Sequence, residues 1–335
     1  MKYFLLITFI FISNGFCTED GYTTLFNAKD LSGWIKDEHA KDYGWKVEDG
    51  CLVSASKYNL YTEKEYMDYS IKFAFLLAPA ANNGLGLRVP LSGDPRLGGR
   101  RAFDVCYNSF EVQILDDSSP KYQRLQAYQF HGAVYGVVPA QKGHLKAVGE
   151  WNEQEVIYKN SQLKIILNGV EILNEDIADF SDTHGKARGR AFAKGHFCFA
   201  AHGRGIKIKD VRIKELKNDY ALPTDISAAT KGFTKLELSK GQSIKDYKNF
   251  EMYAAYKGKG RGSVSIRNTP QFEIEAKNKS QLLYIRCIDE RYTVFQNGAL
   301  IHNGVLLKGK ARTGKISLPL AFKWQSLFIK KLGKQ

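Results

Sequence analysis

A repeated order of short alternating segments constrains this chain more than any other feature. YSIKFAFLL (69–77), GLGLRV (84–89), FEVQIL (110–115), EVIYK (155–159), LKIIL (163–167), HFCFAA (196–201) and IKIKDVRIKEL (206–216) alternate apolar and polar residues or form short apolar runs. Gly, Asn and Asp turns separate them. A period of two marks strands, and no long helical periodicity competes with it. Asn168-Gly169, between LKIIL and VEIL, is a hairpin signal because both residues tolerate positive φ. Many short strands with regular turns predict an all-β sandwich or jelly roll.

The pattern then recurs. YMDYSIKFAFLLAPAANNGLGLRVP (66–90) parallels YKNFEMYAAYKGKGRGSVSIRNTP (247–270), and SFEVQI (109–114) parallels QFEIEA (271–276). QLKIILNGVEILN (162–174) matches RYTVFQNGALIHN (291–303), and IKIKDVRIKEL matches WQSLFIKKL (324–332). The same landmarks in the same order predict two copies of one sandwich, the second shorter. The expected organisation is a first unit over 22–217, a linker over 218–231 with a Pro and loop composition, and a degenerate repeat over 232–335.

Ahead of the first unit, Lys2 and the apolar run Tyr3 to Ile12, broken by Ser13-Asn14-Gly15, read as a secretory signal peptide over 1–17. The run is too short for a membrane span, and no later run approaches one. The mature protein is therefore expected outside the cytoplasm, secreted or periplasmic. Cys17 follows the bulky Phe16, which argues against lipid anchoring there. Export permits disulfides, yet Cys51, Cys106, Cys198 and Cys287 are widely spaced and form no zinc pattern. Cys51 and Cys198 sit in apolar runs and read as buried free thiols. The formal net charge is +14. Export and the scatter of the lysines argue against nucleic acid, and Lys on strand edges blocks edge pairing. Attraction to acidic glycans or to the anionic cell envelope is the secondary reading of that charge.

The strand FEVQIL carries more polarity than alternation requires. Phe110, Val112 and Ile114 form one face, Glu111 and Gln113 the other, and Asp116-Asp117 close it. Such a set suits hydroxyl-rich ligands or a cation, or else a solvated face ending in a turn. The shadow strand QFEIEA keeps Glu273 but loses the Gln and both Asp residues, so a ligand explains Gln113 and Asp116-Asp117 better than the fold does.

Nine segments in register resemble one known family: TLFNAKDLSGW (24–34), GWKVEDGCLVS (44–54), NNGLGLRVP (82–90), FEVQILDD (110–117), AVYGVVP (133–139), GEWNEQEV (149–156), LNG (167–169), AHG (201–203) and KDVRIKEL (209–216). Together they are similar to the 3-keto-disaccharide hydrolase domain family over about residues 22–217. The resemblance implies a concanavalin-like jelly roll. It also implies an exported enzyme acting on glycosides oxidised at C3, by hydrolysis or by elimination across C1 and C2, with a divalent cation and no organic cofactor. A C3 ketone acidifies the C2 hydrogen, so such a site needs a tuned base, an electrophile for the enolate oxygen and an acid for the leaving oxygen. This differs from the two-carboxylate glycosidase route.

On that resemblance Glu111, His202 and Arg88 are the catalytic candidates, with Glu111 and His202 as bases or metal ligands and Arg88 holding a substrate oxygen or the enolate. Gln113, Asn82, Asn83, Asp116, Tyr135 and His131 are the substrate-binding candidates, with Tyr135 as a possible acid. Glu111, Asp117 and His202 are the candidate metal ligands. Trp34, Trp45 and Trp151 read as core. Where the family commonly has Gln-Asp-His-Gly, this chain has Ala200-Ala201-His202-Gly203. Losing those two polar groups favours a second reading, a non-catalytic carbohydrate-binding, lectin-like module.

Overall fold

The computed structural model describes residues 20–180, 183–203, 205–218, 220, 232–236, 243–244, 247–309, 311 and 313–333. The expected signal peptide, Cys17 and most of 218–231 lie outside the described residues. The first unit is a sandwich of two antiparallel sheets. The larger runs Val170–Asp176, Gln162–Leu167, Trp151–Lys159, Tyr69–Leu77, Ile206–Glu215, Cys51–Ser54, Trp45–Glu48, with Thr23–Thr24 also beside Ile206–Glu215. The smaller runs Trp34–Lys36, Leu60–Thr62, His196–Ala201, Asn82–Val89, Phe110–Leu115. Leu52, Phe75, Leu85, Val112, Val156 and Ile208 fill the space between them. Trp34 and Trp45 join this core as expected, Trp34 stacking on Phe199 at 5.6 Å. Trp151 instead is half-buried, with the Lys209 ammonium 4.2 Å from its ring.

Asn168 and Gly169 take φ of 50° and 84° and close the hairpin between Leu167 and its partner Val170, as both residues' tolerance of positive φ predicts. Cys51, Cys198 and Cys287 are buried and Cys106 half-buried, all as free thiols.

The second sandwich reproduces the first. Its larger sheet runs Thr234–Lys235, Lys323–Lys331, Phe250–Lys257, Gln281–Ile288, Arg291–Gln296, Ala299–Leu306. That is the order of Thr23–Thr24, Ile206–Glu215, Tyr69–Leu77, Trp151–Lys159, Gln162–Leu167 and Val170–Asp176. The smaller sheet pairs Lys259–Ile266 with Thr269–Lys277, as Asn82–Val89 pairs with Phe110–Leu115. Polar contacts join the units: Lys330 reaches Asp176 at 2.9 Å, Arg190 reaches Asp289 at 3.2 Å, and the Asn303 amide oxygen accepts from the Ala193 N–H at 2.7 Å.

The two copies also share a device built on arginine. Arg88 and Arg267 both have left-handed backbones, φ 55° and 54°, which is uncommon for a side chain of this size. Arg88 donates to the carbonyls of Met67, Asn160 and Phe192. Arg267 donates to those of Lys248, Asp289 and Ala311. In each copy the hairpin N–H behind the arginine is held by an equivalent side chain. Asn160 donates to Asp68 at 2.9 Å, and Asp289 donates to Asn249 at 2.8 Å.

Candidate functional site

Alternation sends Phe110, Val112 and Ile114 into the core, so Glu111 and Gln113 fall on the outer face of the smaller sheet. Opposite them in register stand Gly86 and Gly84. The Glu111 side chain lies across Gly84: a Cβ there would meet Oε1 at 2.0 Å and Cγ and Cδ at 2.7 Å. Gln113 Nε2 donates to Asn82 Oδ1 at 3.0 Å. Carboxylate and amides thus form one line along two strands.

This outer face is covered, unlike its counterpart. Glu111 is 5% exposed and Gln113 3%, whereas Glu273 and Glu275 are exposed in the second copy. The cover comes from two segments that carry no strand pattern. The short helix Val105–Asn108 sets Val105 over Gly86. The segment 130–138 bonds to the strand's free edge, Tyr135 N–H donating to the Glu111 carbonyl at 2.9 Å and Gly132 N–H to the Gln113 carbonyl at 2.8 Å. Burial alone pushes the Glu111 carboxyl up to about 7, and Oε1 has no hydrogen-bond partner among the described residues. A buried acceptor without a partner is costly, and a carboxyl titrating near neutrality is suited to proton transfer.

Along the two covering segments stand groups that sequence reading passed over, Lys186 first among them. Lys186 Nζ lies 4.6 Å from the Tyr107 ring and 5.5 Å from the Tyr135 ring. Tyr107 is 44% exposed, a free aromatic face beside a cation. Gln129 Nε2 donates to the Tyr135 hydroxyl at 2.7 Å, and His184 packs on Tyr128 at 4.9 Å. Tyr107 does open the YNSFEVQILDD stretch, so an aromatic just before the polar strand was the available signal. Lys186 lies in a loop with no period to mark it.

Several expected site residues fall elsewhere. Arg88 is fully buried, 3.4 Å from Asp68 and 4.1 Å from the Tyr158 ring, its guanidinium occupied by backbone carbonyls. Its left-handed backbone takes it off the strand's alternation, so it does not present itself to a substrate. His131 and Asn83 face the sandwich interior. The His131 ring stacks on Phe75 at 5.3 Å, Nε2 pairs with Gln154 Oε1 at 3.0 Å, and burial pulls its pKa down to about 4. Asn83 follows the inward alternation of Leu85 and Leu87 and donates to the Ala200 carbonyl at 3.4 Å. Asp116 spends both oxygens on its turn, accepting from the N–H groups of Ala80 (2.8 Å) and Ser118 (3.1 Å). Asp117 accepts from the His131 N–H at 2.9 Å.

His202 is exposed, one residue beyond the Ala201–Asn83 pair that ends the sheet. Of its altered neighbours, Ala200 packs with Tyr61, Val105 and Cys198 on the outer side, and Ala201 belongs to the inner core. Among the described residues, no three His, Cys, Asp or Glu side chains gather to hold a metal. Glu111, Asp117 and His202 therefore do not form the expected ligand set.

The close fit of Glu111 over Gly84 has a testable consequence. Gly84→Ala must displace the carboxylate, at a cost of about 1–3 kcal/mol for overpacking. Thermal denaturation should record that loss. Turnover should fall at least about tenfold if Glu111 is the working group, since misplacing a reacting group carries a large penalty.

Comparison with known proteins places the first sandwich. A family model for the 3-keto-alpha-glucoside-1,2-lyase-like domain matches residues 21–214. A 3-keto-disaccharide hydrolase of Bacteroides thetaiotaomicron is 23% identical over 167 residues, 42% of this chain and 54% of that protein. The chain thus spans about half the length of this curated relative. A solved candidate glycosyl hydrolase from Parabacteroides distasonis has a TM-score of 0.51 at 27% identity, over 61% of this chain and 99% of its own. A second from that organism has a TM-score of 0.49 at 23% identity, over 58% and 99%. With the sandwich, the buried carboxyl on its smaller sheet and a family match over more than half its length, the chain belongs to the family of 3-keto-alpha-glucoside-1,2-lyase-like domains.

Proposed function

We propose that this protein is an exported glycoside-degrading enzyme that cleaves 3-keto-glycosides, with Glu111 as the base. The observation that carries this reading is the buried Glu111 carboxyl, its Oε1 without a partner among the described residues, pushed up to about 7 on a strand it shares with the Gln113 amide. Ionised, it takes the acidified C2 proton of the sugar, and the C2–H electron pair passes into the enolate. The enolate then expels the C1 oxygen with its bonding pair, leaving a C1–C2 double bond. The leaving oxygen takes a proton, and addition of water across the double bond makes the net result a hydrolysis. Gln113 and Asn82 orient sugar hydroxyls. Lys186 supplies the positive charge for the enolate oxygen that Arg88 cannot, and Tyr135, whose ring faces Lys186 and whose N–H bonds to the Glu111 carbonyl, serves as the acid. The signal peptide read over 1–17 supports a secreted or periplasmic setting.

A carbohydrate-binding module without turnover is the second reading, favoured by Ala200-Ala201 in place of Gln-Asp. Incubation of the full mature chain with an aryl 3-keto-glucoside separates them. The enzyme reading expects aglycone release that rises with pH through about 7 as Glu111 ionises. Sugar binding with no release, with or without added divalent cations, would leave the lectin.

A further inference from the structure

A cavity of about 670 Å³ lies where the two sandwiches meet, far larger than a single small anion needs. Among the described residues its wall carries six cationic side chains, Arg100, Lys186, Arg188, Lys248, Arg267 and Arg291, against two carboxylates, Asp289 and Glu290. No member of the six makes an ion pair with a carboxylate among the described residues, and Asp289 is already engaged by Arg190.

The cations also converge. A Cβ on Gly98 would lie 3.7 Å from an Arg291 terminal nitrogen and 3.8 Å from one of Arg100. Arg291 is 2% exposed and keeps a buried Nε–H with no acceptor among the described residues, while Arg267, its terminal nitrogens holding backbone carbonyls, adds charge to the wall. Burial, with Arg100 and Arg188 adding to it against Glu290, pushes the Arg291 guanidinium down to about 10. Like charges packed together in a concave wall raise the local concentration of anions, and unsatisfied guanidinium donors suit the planar oxygens of carboxylates and sulfates.

We propose that this cleft binds the acidic groups, carboxylates or sulfate esters, of an anionic glycan. The volume is in the range that holds several sugar rings rather than one ion. Lys186 lines the cavity and also lies over Tyr107 and Tyr135, the second of which bonds through its N–H to the Glu111 carbonyl. The carbohydrate nature of the ligand rests on the reading proposed above, while the anion preference is independent of it. On this reading one chain carries the proposed reaction centre and, separately, a cleft for the acidic substituents of the same polymer.

Calorimetric titration of the mature chain with a chondroitin sulfate tetrasaccharide, cellotetraose and inorganic sulfate tests this. The sulfated tetrasaccharide should bind, more weakly as salt rises. Its affinity should drop at least about tenfold in Arg100→Glu/Arg188→Glu, which changes partly exposed residues, and stay at the wild-type value in Lys257→Glu/Lys259→Glu. The second pair makes the same charge change outside the cleft. Cellotetraose should not compete. Equal losses in both double variants, equal affinity for inorganic sulfate, or no binding by folded wild type would each overturn the inference. Cleavage of the uncharged 3-keto-glucoside should be unchanged in Arg100→Glu/Arg188→Glu. Binding without wild-type cleavage would therefore sink only the proposed reaction, and cleavage without binding only the cleft.

Discussion

Glu111→Gln is expected to lower 3-keto-glycoside cleavage by about 10²–10⁴-fold, the usual worth of a positioned general base. The same change should flatten the protein's loss of stability in alkali. The carboxyl stands at about 7 against an ordinary 4.5 because burial disfavours its charged form. A group whose pKa is raised on folding contributes fully below its unfolded value and loses that contribution as pH rises through the folded one. Ionising it in place therefore costs about 3 kcal/mol between pH 4.5 and pH 8. Gln cannot ionise, so its urea-unfolding free energy should fall by about 3 kcal/mol less than that of wild type over this window. Loss of activity with an unchanged pH profile of stability would mean that Glu111 is not the buried titrating group described here. An unchanged rate would remove it from the mechanism.

Arg88→Ala should cost about 3–5 kcal/mol of stability, the penalty for breaking a buried, hydrogen-bonded ion pair and leaving its partner uncompensated. Asp68 would lose its cation and three backbone carbonyls their donor. Arg267→Ala should destabilise in the same way, because Arg267 ties the corresponding carbonyls of the second copy. At temperatures where Arg88→Ala remains folded, KM for a 3-keto-glycoside should match wild type. Wild-type stability with a strongly raised KM would restore Arg88 to the substrate.

The strand order, the Asn168-Gly169 hairpin and the doubled sandwich were legible because period two and turn chemistry are written in neighbouring residues. Glu111 and Gln113 were legible for the same reason, since alternation dictates their face. Their depth was not, because it comes from 105–108 and 130–138, whose placement is tertiary. Arg88 reads in sequence like any guanidinium at a strand end. Only its pairing with Arg267 betrays a fold requirement, by the logic that separated Gln113 from its shadow Glu275. His131 is turned inward by its stacking on Phe75 and its bond to Gln154, and Asn83 by the alternation it shares with Leu85 and Leu87. The basic cleft draws its charges from 100, 186–188, 248, 267 and 291, positions that no local pattern connects.

Proton removal from C2 is the central chemical claim, and isotopic substitution there tests it most directly. With a 3-keto-glycoside deuterated at C2, single-turnover aglycone release should show a primary kinetic isotope effect that disappears together with activity in Glu111→Gln. Equal rates for the protiated and deuterated substrates, with C1–O cleavage intact, would contradict the account.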